Sequence, residues 1–187
     1  IRVGDFDGDG DDDLIGRETN STEWTLYKSD AGSFEYLSSW NASDDFDRIL
    51  VADINGDGKK ELMGHSFATG FWWASQLIGD RFYPRPWTRW SSTAAWVDVA
   101  VADLNGDGLD DLVARDSNTD AWWTTLAPLS SRRRSLNAAQ EWNVWGNETD
   151  WLETRIDDFD GDGKADLLGM NVTEVKRRRV GLSYSIS

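Results

Sequence analysis

One nine-residue pattern, D-x-[DN]-G-D-G-x-x-[DE], occurs four times in this 187-residue chain: Asp5–Asp13, Asp53–Glu61, Asp103–Asp111 and Asp158–Asp166. The copies start 48, 50 and 55 residues apart. A period of that length constrains the fold strongly, because each copy is one supersecondary unit that buries its apolar face against its neighbours. The flanks repeat in phase. Two residues before each copy stands a β-branched residue: Val3, Val51, Val101 and Ile156. Aromatic residues recur seven places before the last three copies (Phe46, Trp96, Trp151) and thirteen before (Trp40, Trp90, Trp145). Trp24, Trp72 and Trp122 lie nineteen places after the start of the first three. Most of the 12 tryptophans therefore hold repeat positions, which marks them as core residues rather than a ligand-stacking surface.

Each unit reads as four short strands joined by turns. After the acidic loop comes a brief apolar strand (Leu14-Ile15-Gly16, Leu62-Met63-Gly64, Leu112-Val113-Ala114, Leu167-Leu168-Gly169). An aromatic strand follows at 24–27, 71–73 and 122–125; a third ends near the next tryptophan, and a fourth enters the next loop. Four strands in about 50 residues is the size of a propeller blade. No long segment carries a 3.6-residue period. The expected fold is all-β, a single domain of four propeller-blade-like repeats of antiparallel strands, at roughly 1–50, 51–100, 101–155 and 156–187.

Oxygen-bearing side chains at alternating positions 1, 3 and 5, with glycine at 6 for the sharp turn, are what a hard cation needs. Position 9 adds a fourth. The candidate ligands are Asp5, Asp7, Asp9 and Asp13; Asp53, Asn55, Asp57 and Glu61; Asp103, Asn105, Asp107 and Asp111; and Asp158, Asp160, Asp162 and Asp166. Position 7 is Asp11, Lys59, Leu109 or Lys164, a freedom of type expected where only a backbone carbonyl binds. Ca²⁺, which takes about 6–8 oxygens, suits this set better than Mg²⁺, which holds strict octahedral geometry and keeps its waters. Without His or Cys the sets do not suit zinc. About four Ca²⁺ are expected, one per repeat. A loose acidic turn would not keep carboxylates at positions 1, 5 and 9 in every copy.

Charge fits the same reading. The chain has 34 acidic and 19 basic residues, a formal net charge of −15. That excludes a nucleic-acid binder and disfavours adsorption to anionic membranes. The aromatic content excludes a disordered acidic tail. Of the 34 acids, 14 hold candidate ligand positions, and four Ca²⁺ would bring −15 to −7. With no cysteine there is no disulfide and no thiolate site, and no run approaches the ~18 apolar residues of a membrane span. A start at Ile1 without a leader fits a mature form or a fragment.

An EF-hand loop would carry a bidentate Glu at position 12, where this chain has Gly16, Gly64, Ala114 and Gly169. Dockerin modules and thrombospondin-type repeats fail on the same position. The chain instead resembles the FG-GAP or VCBS-type calcium repeat, the blade unit of integrin-α-like β-propellers, through its four loops, the Leu-rich strand after each and the period. The Phe-Gly and Gly-Ala-Pro signatures of the integrin version are absent, so a generic VCBS-like relative fits better. The resemblance implies structural calcium within blades of four antiparallel strands. Closure of a ring is in question. From Asp158 to Ser187 there are 30 residues and the N-terminal lead-in adds 4, so the last repeat is expected to be incomplete. An open propeller, one completed by another chain, and a linear array remain alternatives.

Four N-glycosylation sequons begin at Asn20, Asn41, Asn147 and Asn171, all in expected turns, and point to a secreted or cell-surface glycoprotein. Arg132-Arg133-Arg134 and Lys176-Arg177-Arg178-Arg179 fit either solvated faces or a docking surface for acidic loops or an acidic polysaccharide. His65 aligns with Arg17, Arg115 and Met170, so it reads as a strand position and not a catalytic base. No nucleophile motif or phosphate loop occurs, and no catalytic residue is expected. The expected function is a non-catalytic, extracellular, calcium-binding structural or adhesive module. Its partners would be other protein chains or copies of itself, assembling head to tail, with glycans as a further class. The alternatives are a carbohydrate-binding propeller and a non-catalytic fragment of a larger enzyme.

Overall fold

In a computed structural model of the chain, residues 1–19, 21, 23–41, 46–127, 136–144, 151, 153–170, 175–179 and 182–186 are described, with backbone alone at 40–41, 175–179 and 182–186. All regular structure among them is β. The first sheet holds β1 (Arg2–Gly4), β2 (Asp13–Arg17), β3 (Glu23–Asp30) and β4 (Ser33–Asn41). The second holds β5 (Arg48–Ala52), β6 (Glu61–His65), β7 (Phe71–Ile78) and β8 (Arg81–Arg89). The third holds β9 (Trp96–Ala102), β10 (Asp111–Asp116), β11 (Ala121–Thr125) and β12 (Gln140–Val144). The fourth holds β13 (Glu153–Asp157), β14 (Asp166–Met170), β15 (Val175–Arg179) and β16 (Leu182–Ile186). Each is an antiparallel meander in which strands adjacent in sequence pair directly. No helix among the described residues is long and apolar enough to cross a membrane.

The repeat phase differs from the one counted on the loops. Each sheet starts with the strand that leads into its acidic loop, so residues 153–186 suffice for four strands. The last repeat is therefore not short of a strand. Counting from the loop had assigned each lead-in strand to the preceding repeat.

Register explains the repeated flanks. The β-branched residue before each loop and the leucine just after it are cross-strand partners in every sheet: Val3 with Leu14, Val51 with Leu62, Val101 with Leu112 and Ile156 with Leu167. Such pairs are the unit of sheet stabilisation. In the second repeat position 12 is small because an aromatic lies over it. A Cβ on Gly64 would meet the Phe46 ring at 2.6 Å, too close for any side chain.

The chain forms two compact units, Ile1–Ser92 and Thr93–Ser187, each containing two of the sheets. In the first, Phe6, Ile15, Trp24, Leu26, Phe46, Ile49, Leu62, Leu77 and Phe82 form one buried cluster drawn from both sheets. In the second, Leu104, Val113, Trp122, Ala165 and Leu167 do so, with Trp142, Trp151 and Ile156 packed against them. Each buried Leu, Ile or Phe contributes about 1.5–3 kcal/mol relative to exposure. Trp24, Trp72, Trp87, Trp90 and Trp122 are buried and the other described tryptophan side chains half-buried, as core residues should be.

Candidate metal centres

All four acidic loops join the first strand of a sheet to the second, and the backbone shapes them alike. The position-1 aspartate organises the turn. One oxygen of Asp5 accepts the Gly8 N–H at 2.6 Å and the other the Gly10 N–H at 2.9 Å. Asp53, Asp103 and Asp158 accept the glycine N–H groups at positions 4 and 6 in the same way, at 2.7–3.0 Å. Position 3 accepts the N–H of position 5 (Asp7, Asn55, Asn105, Asp160). Position 5 accepts that of position 7 (Asp9, Asp57, Asp107, Asp162). These Asx turns need a left-handed backbone at both glycines, at φ 81° and 95° in Gly8 and Gly10, which a side chain would strain.

Position 9 sits differently. Asp13, Glu61, Asp111 and Asp166 are at most 2% exposed. Each accepts the N–H of position 2, from Phe6, Ile54, Leu104 and Phe159 respectively, at 3.1–3.2 Å. Asp13 and Asp111 also accept N–H groups from the third strand of their sheets or just past it, Ser29 in β3 at 3.0 Å and Ala127 after β11 at 2.6 Å. Burial pushes the Glu61 carboxyl up to about 8 and that of Asp111 up to about 6, and it raises Asp13. Position 9 thus ties the loop to its sheet while leaving lone pairs for a cation.

The carboxylates converge. Oxygens of Asp5, Asp7 and Asp13 lie within 4.8 Å of one another, as do those of Asp158, Asp160 and Asp166. Two unit charges at that separation repel by about 3 kcal/mol at an effective dielectric near 20. The second and third loops have Asn55 and Asn105 at position 3, which lowers their charge. There Asn55 donates its amide N–H to Glu61, and Asn105 to Asp107. All donors in these sets are oxygens, the chemistry of a hard divalent cation.

Position 7 is where the loops diverge. Asp11 is exposed and Leu109 is buried. The Lys59 stem packs over Gly8, and its ammonium donates to the Asp7 carbonyl at 2.6 Å. Lys164 packs over Gly106 in the same manner. Beside each contact runs a main-chain bond between loops: Lys60 N–H to the Asp5 carbonyl at 2.8 Å, and Ala165 N–H to the Asp103 carbonyl at 2.7 Å. Lys28, on β3, reaches the first loop and contacts Asp7 and Asp9. Its hydrogen bond holds the Asp9 carboxyl below the usual range.

Three features escaped the reading of the motif alone. Position 2 is apolar in every copy and buried in the first three (Phe6, Ile54, Leu104), whereas Phe159 is 43% exposed. That signal was present in the sequence. The reach of Lys28 into the first loop and the packing of Lys59 on Gly8 were not, because both depend on distant strands. Of the sequons, Asn41 ends β4, while Asn20, Asn147 and Asn171 lie outside the described residues. Arg132–Arg134 also lie outside them, and Lys176–Arg179 run along β15.

His65 is buried in β6, stacked on Trp72 at 4.4 Å, and neither ring nitrogen has a hydrogen-bond partner among the described residues. Burial, with the Arg48 charge second, lowers its pKa to about 4. A cleft of about 450 Å³ lined by Arg2, Arg17, Arg48 and Trp24 lies elsewhere in the first unit.

Residues 5–64, which span the first two loops, match the FG-GAP-like repeat family. No curated protein matches the chain.

Proposed function

We propose that this FG-GAP-type repeat protein is a non-catalytic, extracellular structural or adhesive module whose loops are held by calcium. The observation that carries the reading is the convergence of Asp5, Asp7 and Asp13, and of Asp158, Asp160 and Asp166, in loops whose backbone N–H groups already orient the carboxylates. Positions 1, 3, 5 and 9 of each loop would hold the ion by side chain. The carbonyls of Asp11, Lys59, Leu109 and Lys164 would complete the set. Bound calcium supplies positive charge where the carboxylates repel. The chain's own residues do the rest: the position-1 aspartate shapes the turn, position 9 anchors it to the sheet, and in the first three loops position 2 plugs it into the core.

Anything that binds the folded state alone stabilises it, by about 2.7 kcal/mol per site when free ligand is a hundredfold above its Kd. For a chain of this size that is roughly 5–10 °C in Tm per filled site. Thermal unfolding in millimolar calcium and after chelation tests the reading. A clear fall on chelation is expected; an identical melt in both conditions overturns it.

Association with other chains or with copies of itself belongs to the same proposal. It draws support from Phe159, which is exposed where its counterparts in the other repeats are buried. Phe159→Ser should lower the sedimentation coefficient at micromolar concentration, and a wild-type monomer at all concentrations would exclude self-association. N-glycans at Asn20, Asn41, Asn147 and Asn171 complete the proposal, and the intact mass before and after glycosidase treatment reads them.

A further inference from the structure

The first loop is the most acidic of the four, with Asp5, Asp7, Asp9, Asp11, Asp12 and Asp13 in nine residues. By ligand charge it equals the fourth loop, at four carboxylates each, and should bind a cation more tightly than the second and third, which have Asn55 and Asn105 at position 3. It also contains a cation of its own. The Lys28 ammonium bonds Asp7 and lies 2.9 Å from the Asp9 carboxylate, the position-3 and position-5 donors. Both contacts come from β3, which shares no local sequence with the loop.

The same place in the other repeats is filled differently. Twenty-three residues after the loop start, the second repeat has Gln76, whose amide donates to Asp57 at 2.7 Å. The third has Leu126, exposed just after β11, and the fourth has Gly181, outside the described residues. One position of the repeat is thus a lysine, a glutamine, a leucine and a glycine in turn, and only in the first repeat is it a cation.

We infer that Lys28 is a tethered competitor for the cation of the first loop, a residue that sets this site's affinity apart from the others. The inference rests on the calcium reading above. A lysine engaging a single exposed carboxylate contributes little. Lys28 engages two that are themselves candidate ligands, so a divalent ion and the ammonium cannot both be accommodated there at full strength. Without the ion, Lys28 offsets the repulsion among Asp7, Asp9 and their neighbours and keeps the loop shaped. With it, the ammonium must withdraw. The first loop then fills at higher calcium than its charge would dictate, after the less acidic loops rather than before them.

The test is a calorimetric calcium titration of the full chain, wild type against Lys28→Gln and Lys28→Arg. Lys28→Gln copies the second repeat's own residue. It should tighten one site about tenfold, leave the remaining sites unchanged, and lower the Tm of the chelated protein. Asp5→Ala in that background should delete the tightened site and so assign it to the first loop. Lys28→Arg keeps the charge and should titrate like wild type. A Lys28→Gln titration that superimposes on wild type overturns the inference while leaving the calcium reading intact. So does Lys28→Arg tightening the site as much as Lys28→Gln. No calcium binding in wild type and variants alike overturns both.

Discussion

Position 13 of the repeat, four residues beyond the last acid of the loop, is filled in opposite ways in the second and third repeats. In the third repeat it is Arg115, whose guanidinium bonds Asp98 at 2.8 Å and Asp120 at 2.7 Å. Both aspartates are in the left-handed region, at φ 52° and 55°, a conformation that costs about a kilocalorie or more for a residue with a Cβ. In the second repeat it is His65, 1% exposed and stacked on Trp72, with Phe67 edge-on at 5.1 Å. The third repeat pairs its polar group and strains the backbone. The second keeps the backbone regular and leaves two ring nitrogens without hydrogen bonds among the described residues. The neighbouring strand makes the difference: β9 bulges beside Arg115 and carries Asp98, whereas β5 pairs regularly and sets Arg48 directly opposite His65.

The comparison can be broken most forcefully at Arg115. Arg115→Met, which installs the residue found at this position in the fourth repeat, leaves two largely shielded carboxylates without their shared partner. It should cost about 3 kcal/mol in urea unfolding, since removing one member of a shielded pair strands the other. Changing Asp98 and Asp120 to Gly in the same variant should recover much of that, because it removes the stranded charges and the φ strain together. If Arg115→Met costs less than half a kilocalorie, the two solutions are not alternatives and the ion pairs are ornamental.

A somewhat smaller effect is expected at His65 and is read by pH. Its folded pKa of about 4 lies below the ordinary value of 6.5, so the unfolded chain binds the extra proton more readily. The stability contributed by neutral His65 is complete above pH 6.5 and is lost as pH falls towards 4. The loss amounts to roughly 2–3 kcal/mol. Asp111, pushed up to about 6 by burial, titrates in the same region, so the informative quantity is the difference between wild type and His65→Phe at each pH. Phe fills the slot between Trp72 and Phe67 without orphan nitrogens and should match or slightly exceed wild type at pH 7.5. The gap should widen in its favour as pH falls. A constant gap between pH 7.5 and 4.5 would mean that His65 is not the buried neutral ring described above.

The legible part of this molecule is its local part. The loop motif fixes its own geometry, since Asx turns and positive-φ glycines involve residues at most five apart, and four copies of the pattern foretold four similar loops. Val3 with Leu14, and its three counterparts, could be paired from spacing alone once the loop was taken as a tight connection. In the second repeat the aromatic before the loop, Phe46, and the small residue at position 12, Gly64, are two halves of one steric contact. Where the count of residues misjudged the last repeat, the error lay in the phase and not in the elements: a period has no marked beginning, and only strand pairing shows where one sheet stops.

The amino-acid order by itself determined the all-β character, the four loops, the oxygen-only donor sets and the core role of the tryptophans. All of these follow from chemistry within a few residues or from strict repetition. Only the tertiary structure decided which pairs of sheets share a core, that the position-9 acids are buried against backbone N–H groups, that Lys28 enters the first loop, and that His65 and Arg115 meet opposite surroundings. Several of those outcomes depend on side chains from different strands, such as Lys28 and Asp7, 21 residues apart, and Arg115 and Asp98, 17 apart. A lysine or an arginine has no fixed partner until the sheet that carries the acid is folded beside it.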